Sequence, residues 1–84
     1  METNQKLFLG QYIRIKSTYP LYRWANNKQA TVVGFDNDQT QVRPDAALKK
    51  VLLLYPHEIR DTDPPRKAPP FIEKAISELA QAAS

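Results

Sequence analysis

The sequence contains no cysteine, and its only histidine is His57. Without cysteine the chain can form no disulfide, and one histidine cannot supply the Cys/His set of a structural zinc site. The longest apolar run, residues 51–55, is far shorter than the about 20 residues of a membrane-spanning helix. No apolar run of signal-peptide length occurs near Met1. We therefore expect a cytoplasmic protein without a membrane span.

The size and charge of the chain set further limits. Its 84 residues are enough for one small domain, which buries only about 60–65% of its unfolded surface. Packing, or packing together with a partner, must therefore hold the fold. The formal net charge of +3 permits contact with an acidic surface without requiring it.

Short β-strands are predicted along the first 61 residues. Residues 11–16 alternate strictly, with Ile13 and Ile15 on one side, which is typical of a half-buried strand. The predicted strand 50–55 contains the continuous apolar run 51–55, so we expect both faces of that strand to be covered. The predicted strands are residues 11–16, 30–35, 40–43, 50–55 and 59–61, joined by a loop at 17–29, a turn at 36–39 and a 3₁₀ turn at 56–58.

A proline-rich segment, residues 63–70, follows the strands and contains four of the seven prolines. Beyond it, residues 71–84 have the pattern of an amphipathic helix. The helix can fold back on the strands, dock into a partner's groove, or pair with a second copy in a homodimer. We favour folding back, because a free apolar stripe promotes aggregation. The side chains expected to make that contact are Phe71, Ile72, Ile76 and Leu79.

These elements predict a mainly β fold. The chain has no room for helical crossovers between parallel strands, and closing the strands into a barrel removes exposed edges. We expect a small SH3-like barrel of four to five short antiparallel strands, then a Pro-rich linker and a C-terminal amphipathic helix. The predicted parts are an N-terminal tail (1–8), the barrel (9–62), the linker (63–70) and the helix (71–84).

Three segments, residues 9–16, 30–35 and 51–59, resemble small SH3-like barrel proteins. Such proteins include the small SH3-like component of photosystem I, the ferredoxin–thioredoxin reductase variable chain, a small component of the photosynthetic NDH-1 complex and KOW-type domains of ribosomal and transcription proteins. Their pattern consists of G-D-x-V-x-V, a loop, a G-x-V strand and a final F-x-x-x-E-L turn. The chain departs from it at Gln11, where an acidic residue is common, and at Ala30, where many members have glycine. The resemblance implies a fold for residues 9–61, but no partner and no binding residue.

Two possible catalytic features are better explained as turns. Residues 36–40 spell D-x-D-x-T, the nucleophile motif of haloacid-dehalogenase phosphotransferases, but this chain is too short for the sheet that such enzymes need. A hairpin turn explains the same residues. His57 follows Pro56 in a predicted turn and has no nucleophile near it in the sequence. We therefore expect neither an enzyme nor a cofactor.

The predicted loop 17–29 contains the leading candidate site. Its partner-binding residues are Tyr19, Tyr22, Arg23 and Trp24. Aromatic residues and arginine are enriched at the centres of protein interfaces. The alternative is that Tyr22 and Trp24 cover the barrel mouth of a chain with a small core. The leading hypothesis is an accessory subunit or adaptor that binds a protein partner through residues 19–24.

A nucleic-acid-binding surface is the second hypothesis. Aromatic and basic side chains on one strand face can stack bases and contact phosphates. A solvated surface strand explains the same pattern. The residues predicted for nucleic-acid binding are Tyr12, Arg14, Lys16, Lys28 and Arg43.

Overall fold

The computed structural model describes residues 7–61 and 66–82. Residues 1–6 of the predicted tail, residue 62 of the predicted barrel, 63–65 of the predicted linker and 83–84 of the predicted helix lie outside the described residues. The strands are β1 (Tyr12–Ile15), β2 (Gln29–Asp36), β3 (Gln39–Pro44), β4 (Leu52–Leu54) and β5 (Ile59–Asp61). Three 3₁₀ helices, Pro20–Ala25, Asp45–Ala47 and Pro56–Glu58, connect them, and the helix α1 spans Pro70–Ala82. Within the described ranges no helix is long and apolar enough to cross a membrane.

The five strands form one antiparallel sheet in the order β4-β3-β2-β1-β5. Strand β1 pairs with β2 on one side and with β5 on the other. Strands β2 and β3 form a hairpin whose turn includes Asn37, at φ 55°. Asparagine tolerates this left-handed backbone well. The prediction that residues 36–39 form a turn is confirmed.

The core lies on one face of the sheet and contains side chains from every strand. Because successive side chains of a strand point to opposite faces, Ile13 and Ile15 of β1 both reach this core and are fully buried. The other buried members are Ala25, Ala30, Val32, Val42, Leu52, Leu54 and Ile59. A single cluster therefore extends across the whole sheet, from β4 at one edge to β5 at the other.

The predicted closure into a barrel is wrong, since β4 and β5 do not pair within the described residues. The N–H groups on the outer edge of β4 already have side-chain acceptors. The Leu53 N–H donates to the Tyr22 hydroxyl (3.3 Å), and the Tyr55 N–H donates to Glu58 Oε1 (2.9 Å). Side-chain capping of an edge in this way removes the donors that a further strand needs.

Strand β4 is also shorter and more exposed than its apolar sequence predicts. It covers three residues rather than six. Val51 and Tyr55, the residues that flank the strand, are 44% and 47% exposed. The expectation that both faces of residues 50–55 are covered is therefore wrong, because only Leu52 and Leu54 lie in the core.

The described part of the predicted linker rejoins the sheet. Lys67 forms an antiparallel bridge with Gln11. The Tyr12 N–H donates to the Arg66 carbonyl, and the Ala68 N–H donates to the Gly10 carbonyl, both at 2.9 Å. Residues 66–68 therefore run beside the start of β1, which fixes the point from which α1 begins.

Helix α1 folds back on the sheet, as we expected, but through fewer side chains. Ile72 is 5% exposed and packs with Tyr12 and Ala68 on the face opposite the main core. Ile76 packs at the border of this cluster. Phe71 is 71% exposed, so its predicted role in this contact is wrong. Self-association through residues 71–84 stays a prediction.

Candidate functional site: an aromatic surface beside strand β4

Most of the predicted partner-binding loop is a 3₁₀ helix, Pro20–Ala25. A 3₁₀ helix has three residues per turn, so side chains three positions apart lie on the same side. Tyr22 and Ala25 therefore share the inner side, where Ala25 is fully buried and Tyr22 packs against the core. Leu21 and Trp24 share an outer side, at 67% and 40% exposure.

This division answers the question that the sequence left open about the aromatic residues. Tyr22 is structural, because its ring packs on the core and its hydroxyl accepts the Leu53 N–H. Trp24 lies outside the core cluster and faces solvent. Arg23 is exposed on a third side of the same helix. The four predicted residues are thus close together, but Tyr22 supports the others from beneath.

Trp24 has one charged neighbour among the described contacts. The Lys50 ammonium lies 5.3 Å from the centre of the indole ring, which is a cation–π distance. Lys50 is exposed and immediately precedes Val51 and β4. The contact places a positive charge next to the indole.

Tyr19 immediately precedes the 3₁₀ helix Pro20–Ala25 and borders a recess. Its ring meets that of Tyr22 edge to face, with centroids 5.1 Å apart. The two rings, together with Leu53, Tyr55 and Glu58, border a concave recess of about 330 Å³. We call this the tyrosine recess. We use the name aromatic surface for the residues that border this recess together with Leu21 and Trp24 of the 3₁₀ helix.

A buried hydrogen-bond network fixes the start of this surface. The Ser17 hydroxyl donates to Glu58 Oε2 at 2.6 Å and accepts the Tyr19 N–H at 3.1 Å. The other Glu58 oxygen accepts the Tyr55 N–H. One carboxylate thus connects the backbone segments that carry Tyr19 and Tyr55.

Sequence reasoning missed Tyr55 as part of this surface, and it included Leu21 only as a member of the segment 19–24 and not as a named binding residue. Tyr55 ends the apolar run 51–55, where it was expected to be covered. Its ring is instead 47% exposed and stacks on His57, with centroids 5.9 Å apart. Proline at position 56 was the available indication, because it cannot continue a sheet ladder and so ends the strand near that tyrosine.

The residues predicted for nucleic-acid binding do not form one continuous surface. Arg14, Lys16 and Lys28 are exposed. The Arg14 side chain donates to the Asn27 carbonyl at 3.0 Å. Arg43 is half-buried, and its guanidinium donates to the Leu48 carbonyl at 2.7 Å.

Tyr12 is covered by α1 and is only 8% exposed. Its hydroxyl donates a hydrogen bond to Asp45 Oδ2. Burial, the hydrogen bond to Asp45 and the charge of that carboxylate together raise the pKa of Tyr12 to about 12. The ring is therefore not available to stack on a base.

No protein-family model, curated protein or solved structure matches this chain. Among the described residues, no group of three or more His, Cys, Asp or Glu side chains could hold a metal ion.

Proposed function

We propose that this protein is a non-enzymatic interaction module, an adaptor or accessory subunit that binds a protein partner through the aromatic surface. The observation that carries the proposal is the division of the 3₁₀ helix Pro20–Ala25. Its inner residues pack on the core, and one of them, Tyr22, borders the tyrosine recess, while Leu21 and Trp24 stay exposed on the same helix. Exposed apolar side chains grouped around a concave surface are typical of interaction sites.

We also propose that the fold is of the SH3-like type, with one side of the barrel open. Two features support this proposal: β1 pairs with both β2 and β5, and one core cluster contains side chains from all five strands. In this arrangement the aromatic surface lies along the open side, next to β4. The N–H groups of Leu53 and Tyr55 already have acceptors, so the partner binds through side-chain contacts rather than as an added strand.

The test uses crosslinking from the surface itself. A photo-reactive phenylalanine analogue replaces Leu21 or Trp24 in the full chain, expressed in its native cell, and irradiation traps what touches it. The matched control carries the analogue at Phe71, which is 71% exposed and lies on α1. We expect positions 21 and 24 to trap the same protein and position 71 not to trap it. Equal trapping at all three positions would contradict the proposal.

A binding measurement with the trapped partner, purified, completes the test. Trp24→Ala should weaken binding at least about 30-fold, which corresponds to the about 2 kcal/mol of an interface hot spot. Phe71→Ala should leave the affinity unchanged. Because Trp24 lies outside the core cluster, its removal should change the free energy of unfolding by less than about 1 kcal/mol. A larger loss of stability would make Trp24 a structural residue instead.

A further inference from the structure

The outer face of β1 and β5 carries positive charges with an unusual arrangement. Arg14 of β1 is paired directly opposite Arg60 of β5. Both side chains are exposed, since the neighbouring Ile13, Ile15 and Ile59 take the inner face. Like charges directly opposite one another destabilise a sheet. A bound anion between them would remove that repulsion.

Two further cations extend this pair into a row. Lys16 follows Arg14 by two residues on the same side of the chain and is exposed. Arg66, also exposed, lies beside Tyr12 because its carbonyl accepts the Tyr12 N–H at 2.9 Å. The row therefore follows β1 from position 16 to position 12, a length of about 13 Å at about 3.3 Å per residue. We call Lys16, Arg14, Arg60 and Arg66 the basic row.

Among the described side chains, the hydrogen bonds of the row go to no carboxylate. Glu58 lies two residues from Arg60, but both of its carboxylate oxygens accept hydrogen bonds elsewhere, from Ser17 and Tyr55. The Arg14 guanidinium donates to a neutral acceptor, the Asn27 carbonyl. That bond holds the guanidinium in place without cancelling its charge.

We propose that the basic row binds the phosphodiester backbone of a nucleic acid, independently of base sequence. A line of cations matches a regularly charged chain better than a single phosphate, and arginine pairs well with phosphate oxygens. The aromatic residue of this face, Tyr12, is 8% exposed beneath α1, so base stacking does not contribute. This function uses a different surface from the aromatic one.

The expected salt dependence follows from the number of cations. Four phosphate contacts predict a slope of log affinity against log salt of about −3.6 for duplex DNA and about −2.8 for a single strand. Between about 50 and 200 mM salt, the duplex affinity should fall about 150-fold.

The experiment is a fluorescence-anisotropy titration of the full chain against short duplex DNA, duplex RNA and single strands of mixed sequence. The test variant is Arg14→Gln/Arg60→Gln, and the control is Lys49→Gln/Lys74→Gln, which removes the same net charge from exposed positions outside the row and outside the aromatic surface. Thermal melts confirm that both variants are folded. We expect the test variant to reduce the duplex slope by about 1.8 and the control to leave it unchanged. The arm that binds most tightly, DNA or RNA, identifies the source of the phosphodiester.

Three results would overturn the inference. The first is the absence of salt-dependent binding by the unaltered protein at about 50 mM salt. The second is an equal loss in the test and control variants, which would assign the effect to net charge alone. The third is competition by polyglutamate as strong as competition by unlabelled DNA, which would make the row a site for acidic protein chains.

Discussion

The attachment of α1 to the sheet should depend on Ile72 and not on its neighbour Phe71. Both residues belong to the apolar half of the helix, but Ile72 is 5% exposed and Phe71 is 71% exposed. Ile72→Ala removes three buried carbon groups, which costs about 2.5 kcal/mol at about 0.8 kcal/mol each. With the cavity left against Tyr12 and Ala68 included, we expect a total cost of about 2–4 kcal/mol, the range usual for such truncations.

That cost is large for a domain of this size. At about 0.05–0.15 kcal/mol per residue, the whole chain has a free energy of unfolding of only about 4–12 kcal/mol. Ile72→Ala should therefore lower the melting temperature by about 10–20 °C. Phe71→Ala should change the free energy of unfolding by less than about 0.5 kcal/mol, as expected for an exposed side chain.

Urea unfolding followed by two probes measures both effects. The fluorescence of Trp24 reports on the sheet side of the molecule, because Trp24 is the single tryptophan. Far-ultraviolet circular dichroism reports mainly on α1. We expect both transitions to shift together in Ile72→Ala. Equal losses in the two variants, or a helix transition that separates from an unshifted Trp24 transition, would refute the reasoning.

Two further predictions concern Tyr12 and Gly10. The pKa of Tyr12 is raised to about 12 from 10.0, so its contribution to stability is fully present below pH 10 and is lost as the pH rises from about 10 to 12. Urea unfolding across this range should show a smaller loss in Tyr12→Phe, and an identical loss would contradict the assignment. Gly10→Ala should cost about 1 kcal/mol or more, because Gly10 has φ +86°. Gly34→Ala is the comparison: its new Cβ meets only the movable Gln41 side chain, so a melt should show a smaller loss.

The sequence is a good guide to local elements and a poor one to sheet closure. Strict alternation located β1, and turn residues located the β2–β3 hairpin, because these features depend on neighbours in the chain. Closure depends on what caps the edge of β4. The acceptors there are the Tyr22 hydroxyl and the Glu58 carboxylate, and Tyr22 is 31 residues from Leu53 in the chain. No local pattern predicts such a contact.

The candidate site shows the same limit at the level of single side chains. Composition identified residues 19–24 but could not separate Tyr22, which packs inward, from Trp24, which does not. The separation follows from the period of three in a 3₁₀ helix, and such short helices have weak sequence signatures. For α1, the sequence pattern correctly predicted an amphipathic helix. Phe71 and Ile72 are about 100° apart on the helix, and the cluster around Tyr12 and Ala68 takes only the second of them.

Glu58 determines how the two proposed surfaces can be tested separately. Its carboxylate holds the Ser17 hydroxyl and the Tyr55 N–H beside the tyrosine recess, while its carbonyl accepts the Lys16 N–H at 2.8 Å beside the basic row. A change at this residue would therefore disturb both surfaces through the fold. The side chains of Trp24 and Arg60 are exposed, and neither takes part in these hydrogen bonds of Glu58. Loss of partner binding in Trp24→Ala with nucleic-acid binding intact, and the converse in Arg60→Gln, would therefore assign two functions to two surfaces rather than to one fold.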